Sequence, residues 1–221
     1  MRGMSSTPEN FVFSNLRQLM VDSQLRARGI ADKRVLEAMA RVPRHEFAPE
    51  RYRDQAYEDH PVPIGEGQTI SQPYIVAIML EALALSPADR VFEVGTGSGY
   101  VTALLAELAA EVVSVERHAA LADAARDLLV RMGYTNVKVM VGDGSQGFAE
   151  GAPYDAIIIS AATAEVPPAL LAQMVEGARM IIPVGPPDSQ QLQLIHMENG
   201  QPRITLRELC RFVPLVSGGR S

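Results

Sequence analysis

The stretch Val91-Phe-Glu-Val-Gly-Thr-Gly-Ser-Gly-Tyr100 decides how the rest of the chain is read. A short apolar run bounded by valines has the length and composition of a buried strand. Gly95, Gly97 and Gly99 then turn the backbone, and Val101–Leu108 resumes with apolar residues at helical spacing. In a strand, glycine turn and helix, a ligand can lie against main chain that carries no Cβ, while the free N–H groups of the first helical turn favour electron-rich partners. The expected ligand is a nucleotide-like cofactor.

The spacing narrows the choice of cofactor. The dinucleotide fingerprint requires Gly-x-Gly-x-x-Gly around a pyrophosphate, whereas here the glycines fall at 95, 97 and 99 and Tyr100 takes the place of the third. Glu93, inside the strand, departs further, because a carboxylate aimed at the turn disfavours phosphate and suits a cationic or amino-bearing ligand. The pattern resembles the first motif of S-adenosylmethionine-dependent methyltransferases, whose cofactor has an adenosine, a sulfonium and an amino acid group but no phosphate. A nicotinamide-dependent oxidoreductase is the rival reading.

The totals suit an ordinary soluble protein: 221 residues, 47% hydrophobic and 21% charged. A net charge of −6 opposes a general nucleic-acid or anionic-membrane binder. Cys210 is the only cysteine, which excludes an intrachain disulfide and a thiolate metal cluster and points to a reducing cytoplasm. Four scattered histidines make a zinc site unexpected, and no metal is expected. No stretch approaches the roughly 18 apolar residues of a membrane span.

Along the chain, Met1–Glu9 is polar and expected to fray. Leu16, Leu19, Met20 and Leu25 share one helical face, and Asp32 is placed to cap a second helix ended by Pro43. Arg44–Gln72, with three prolines from Pro49 to Pro63, reads as a long ordered loop of functional kind. Helical spacing returns over Pro73–Leu85, and then strands and helices alternate. Strands are expected at Glu111–Glu116, Val137–Val141, Ala156–Ser160 and Met180–Val184, with helices at Ala119–Met132 and Pro167–Val175. Gln191–Met197 and Ile204–Val213 read as an edge hairpin. The expected fold is α/β, a Rossmann-like, doubly wound, mostly parallel sheet of about seven strands with an N-terminal helical extension. Residues 1–85 would form the helices and substrate loop, and 86–221 the cofactor-binding core.

In an open α/β sheet, ligands sit beyond the carboxyl ends of the strands. Glu116 closes one such strand and could accept hydrogen bonds from two ribose hydroxyls, or cap the following helix. Asp143, in Gly142-Asp-Gly144, could accept from an adenine amino group, or serve the turn itself. Ser71 precedes a helix start, where its hydroxyl could be an N-cap or contact substrate.

Met20-Val-Asp-Ser-Gln-Leu-Arg-Ala-Arg-Gly29, Val42-Pro-Arg-His45, Gly67-Gln-Thr-Ile-Ser-Gln-Pro-Tyr74, Glu93–Tyr100, Val141-Gly-Asp-Gly144 and Ile182-Pro-Val-Gly185 together resemble the protein-L-isoaspartate O-methyltransferase family. The likeness runs from about Leu16 to the Arg211–Leu215 tail. Val101-Thr102 stands where many relatives carry Gln-Ala, and Ser145–Phe148 is less aromatic than expected.

The resemblance implies S-adenosyl-L-methionine as cofactor, with S-adenosyl-L-homocysteine as product, and isoaspartyl proteins and peptides as substrates. It implies Ser71 as the active-site residue. The cofactor would be held by Glu93, Gly95, Thr96, Gly97, Ser98, Gly99, Glu116, Arg117, Gly142, Asp143 and Gly144, and the substrate by Thr69, Ile70, Gln72, Ala161, Ala162 and Val213. The ester product would close to a succinimide whose hydrolysis returns some normal aspartate. A cytoplasmic monomer, independent of nucleic acid and membrane, is expected. A related carboxyl methyltransferase acting on a peptide natural product or small acid is the alternative.

Overall fold

The computed structural model describes residues 8–216 and 218. The first helix, α1 (Pro8–Leu19), continues into one π-helical turn at Met20–Leu25 and a 3-10 turn at Arg26–Arg28. Asp32 then caps α2 (Lys33–Arg41), its carboxylate accepting the N–H groups of Arg34 at 2.8 Å and Val35 at 3.3 Å. Val42 is already extended, as a residue preceding proline tends to be.

A two-stranded hairpin follows, β1 (Val62–Gly65) and β2 (Gln68–Ile70), and leads into α3 (Pro73–Leu83). The remaining elements are β3 (Arg90–Val94), α4 (Tyr100–Leu108), β4 (Glu111–Glu116), α5 (Ala119–Arg131), β5 (Val137–Val141) and β6 (Tyr154–Ile159). After them come α6 (Pro168–Leu171), β7 (Met174–Val184), β8 (Gln190–Glu198) and β9 (Gln201–Cys210). The large sheet has seven strands in the order β5-β4-β3-β6-β7-β8-β9. β3 to β7 run parallel where they pair, and β8 and β9 are antiparallel additions at one edge.

Strand periodicity divides the core. Val91, Val112, Ile158 and Ile181 join the larger apolar cluster with residues of α1 to α4, while Phe92, Val113, Ile157 and Met180 face the other way and pack with Leu170. α2 packs against both α3 and α4. The N-terminal helices are therefore continuous with the layer that covers the sheet.

Several boundaries differ from those read in the sequence. The expected helix over Pro167–Val175 is one turn, because Met174 already pairs with Tyr154 and opens β7. Arg44–Gln72 is not a structureless loop: Arg44–Phe47 and Glu50–Gln55 are 3-10 turns, and the β1–β2 hairpin follows. These turns are too short to show a periodicity of their own. The edge hairpin is present, turning at Asn199-Gly200 with both residues at positive φ, but β9 stops at Cys210 and residues 211–216 leave the sheet as a tail. The expected fraying of Met1–Glu9 lies outside the described residues up to residue 7, and Pro8 and Glu9 are already in α1. Among the described residues no helix is long and apolar enough to cross a membrane.

Candidate active site

β3 lies between β4, which follows it in the chain, and β6, which lies on its other side, so the strand order reverses at the carboxyl end of β3. Such a reversal opens a crevice between adjacent connections. The glycine turn stands there, with φ of 92° at Gly95, 53° at Gly97 and 88° at Gly99. These left-handed values are strained for any residue with a Cβ, and a Cβ on Gly97 would also sit 3.3 Å from Ile64 Cδ1.

The crevice is a cleft of about 710 Å³. Its floor is Val94–Ser98 with Val115 and Glu116, and one wall is Gln68–Gln72 with Ile75. Ser160 and Ala161 form a second wall, and the tail from Leu209 to Val216 closes the remaining side. The tail is fixed in place: Ala162 N–H donates to Val213 O at 2.8 Å, Leu215 N–H donates to Ala162 O at 2.7 Å, and Arg117 donates to Val216 O at 3.0 Å and Gly218 O at 3.2 Å.

Glu116 is nearly buried, and its two oxygens accept the N–H groups of Gly97 and His118, each at 2.9 Å. The carboxylate at the end of β4 therefore holds the glycine turn in place, and each oxygen retains a lone pair toward the cleft's contents. Thr96 reaches inward instead. Its hydroxyl is 2.5 Å from Ser114 Oγ, which donates to Glu93 Oε2 at 2.6 Å, and Thr102 Oγ1 donates to the same oxygen at 2.5 Å.

Glu93 thus sits beneath the turn and does not line the cleft; it is fully buried and its Oε1 has no partner among the described residues. Burial pushes its carboxyl up to about 7, against the hydrogen bonds from Ser114 and Thr102. Thr102, in the first turns of α4, is a member of this network.

Ser71 stands on the wall formed by the hairpin. The residue capping α3 is Gln72, without a side-chain cap bond, so the N-cap role considered for Ser71 is not taken up. Among the described residues the Ser71 hydroxyl makes no hydrogen bond. Asp59 organises the neighbouring positions, its carboxylate accepting from Gln72 Nε2 at 2.8 Å and from Tyr74 N–H at 3.4 Å while pairing with Arg28.

The structure brings most of the expected residues to this one cleft: Ser71, Gly95, Thr96, Gly97, Ser98, Glu116, Arg117, Gly142 and Gly144, with Thr69, Ile70, Gln72, Ala161 and Val213. Four lie off its surface. Besides Glu93, Gly99 faces α5, where a Cβ would meet Ala125 Cβ at 3.3 Å. Ala162 faces an adjoining cavity. Asp143 caps a 3-10 turn, accepting Ser145 N–H at 3.0 Å and Ser145 Oγ at 2.7 Å, and its other oxygen takes Gly218 N–H at 2.9 Å. Despite partial desolvation, these bonds hold its carboxyl below the usual range.

Ile75, His118 and Ser160, to which no local spacing assigns a role, also line the cleft.

The donor set suits an adenosyl ligand with an amino acid group: apolar walls from Val94, Val101 and Val115, a carboxylate at the end of β4, and glycines where the main chain comes close.

The comparisons agree with this geometry. The family described as protein-L-isoaspartate(D-aspartate) O-methyltransferase matches residues 15–220. A protein-L-isoaspartate O-methyltransferase of Koribacter versatilis (strain Ellin345) is 54% identical over 213 residues, covering 96% of each chain. One from Methanoculleus marisnigri (strain ATCC 35101 / DSM 1498 / JR1) is 55% identical over 201 residues, covering 90% of this chain and 91% of the relative. Among solved structures, a putative protein-L-isoaspartate O-methyltransferase from Plasmodium falciparum, in complex with S-adenosyl-L-homocysteine, superposes with a TM-score of 0.79 at 28% identity, covering 90% of this chain and 98% of that one. By sequence over nearly its whole length and by fold, the chain belongs to the protein-L-isoaspartate(D-aspartate) O-methyltransferase family.

Proposed function

We propose that the chain is an S-adenosyl-L-methionine-dependent carboxyl methyltransferase that esterifies the side-chain carboxylate of L-isoaspartyl residues in damaged proteins and peptides. The observation that carries this reading is the meeting of the Ser71 segment with the glycine turn and Glu116 in one cleft of a chain of this family. Bound S-adenosyl-L-methionine supplies an electrophilic methyl group on a cationic sulfur. Gly95, Thr96, Gly97, Ser98, Gly142 and Gly144 would hold it against the main chain, with Glu116 accepting from its ribose. Glu93 would act from below, by fixing the turn through Ser114 and Thr102.

The acceptor carboxylate has an ordinary pKa near ~4, so it is ionised at neutral pH and needs no general base. Consistent with this, no imidazole or carboxylate is hydrogen-bonded to the Ser71 hydroxyl among the described residues, which leaves it unactivated as a nucleophile. Ser71 would instead donate a hydrogen bond to the acceptor carboxylate or its backbone. Thr69, Ile70, Gln72, Ala161 and Val213 would contact the flanking main chain. Rate acceleration would come from orientation and from water exclusion under the tail. The protein would act as a monomer in a reducing, cytoplasmic compartment.

Radiolabelled methyl transfer to matched peptides bearing Asp or isoAsp at one position tests the proposal. Label should enter the isoAsp peptide alone; absence of transfer to it, with binding of S-adenosyl-L-homocysteine intact, would favour a different carboxyl acceptor.

A further inference from the structure

Among the described residues, Arg44 is the largest fully buried side chain. Its Nε donates to Ala56 O at 2.6 Å and its Nη2 to Ser71 O at 2.9 Å, and its guanidinium carbon lies 4.9 Å above the Tyr100 ring. Nη1 has no partner among the described residues, and no carboxylate there forms an ion pair with it. The carboxylate that acts on it through space, Asp59, is already bonded to Arg28, Gln72 and Tyr74.

Enclosing a charge without a paired counter-ion costs several kcal/mol even after relaxation, so the interactions that Arg44 does make have to offset a real penalty. A methionine would fill similar space without that penalty. What only the planar fork supplies is the joining of separate segments. Ala56 follows the 3-10 turn ending at Gln55, Ser71 lies on the cleft wall, and Tyr100 is the first residue of α4, immediately behind the glycine turn. One rigid group therefore sets the Ser71 main chain against the helix that carries the cofactor loop.

We propose that Arg44 is a positioning residue for methyl transfer, acting through Ser71: by holding the Ser71 carbonyl and stacking on Tyr100 it fixes the distance between the acceptor-binding wall and the glycine turn. This rests on the function proposed above. Lysine at this position keeps the charge but cannot bond two carbonyls in the fork geometry of a guanidinium.

The test is a double-mutant cycle on the full chain with Arg44→Lys and Ser71→Ala, read as kcat/KM for an isoAsp peptide, with calorimetry of S-adenosyl-L-homocysteine binding and hydrogen exchange over residues 69–74. Arg44→Lys should lower kcat/KM by about 10-fold or more, since a displacement of an ångström can cost up to 100-fold. It should speed exchange over 69–74 and leave cofactor affinity unchanged. In the Ser71→Ala background the same change should have little further effect.

Full additivity of the two losses, or unchanged exchange over 69–74, would overturn the positioning role. If Arg44→Lys does not fold, Arg44→Gln enters the same cycle and is read by the same criteria. A wild-type protein inactive on every isoAsp peptide would instead strike at the underlying function, and the exchange experiment would still decide whether Arg44 fixes the Ser71 segment.

Discussion

Glu116 Oε2 accepts the Gly97 N–H at 2.9 Å, so the acid at the end of β4 and the glycine turn at the end of β3 are one hydrogen-bonded unit. A carboxylate in this position does two jobs, since it holds the turn and presents its remaining lone pairs to the cleft. Hydrogen bonds to a charged group are worth about 1.5–3 kcal/mol each. Glu116→Gln should therefore weaken S-adenosyl-L-homocysteine binding by about 10- to 100-fold. Calorimetric titration of the variant checks this, and an affinity equal to wild type would remove Glu116 from the cofactor's contacts.

Ser71→Ala removes a hydroxyl that has no hydrogen-bond partner of its own among the described residues, so little stability should be lost. Methylation of an isoAsp peptide should fall by about 10-fold, the equivalent of one hydrogen bond to a charged acceptor, with cofactor affinity retained. Loss of cofactor affinity on calorimetry would place Ser71 on the wrong side of the cleft.

Burial raises the Glu93 carboxyl from 4.5 to about 7, so the folded protein binds this proton more tightly than the unfolded chain does. The resulting stabilisation is complete below pH 4.5 and is lost as the pH rises from 4.5 to about 7. Its size is roughly 3 kcal/mol on the linkage relation. Glu93→Gln abolishes this titration, and denaturant melts from pH 5 to 8 should show a smaller decline with pH than wild type. An unchanged slope would mean that Glu93 titrates near its ordinary value.

Gly144 is placed for steric reasons and not for its backbone angles: a Cβ there would run into Val94 Cγ1, a branch that cannot swing away. Gly144→Ala should cost about 1–3 kcal/mol, as overpacking of a full core does. At Gly142 the same addition meets Val115 Cγ1 at 3.6 Å, an ordinary contact, so Gly142→Ala should melt close to wild type. Equal thermal shifts in the two variants would contradict this packing.

Local pattern carried the reading of the glycine turn, the cap at Asp32, the alternating strands and helices, and the Asn199-Gly200 hairpin, because each depends on residues within a few positions of one another. The short 3-10 turns, the one-turn α6 and the long β7 were not legible in that way. β7 begins where it does because Met174 finds Tyr154 across the sheet, and no window around Met174 contains that partner.

The chemistry divides along the same line. The order of residues in the chain was sufficient to specify a strand-turn-helix cofactor loop and an acid closing the next strand, since backbone freedom and strand length are local properties. Folding in three dimensions decided that Glu93 supports the turn from beneath, that Asp143 is engaged by Ser145 and Gly218, and that the tail roofs the cleft. It also placed Arg44 between Ser71 and Tyr100, positions 27 residues apart on one side and on opposite sides of β3 on the other. A buried guanidinium finds its carbonyls by proximity alone, and proximity between distant segments exists only once the sheet and its helices have packed.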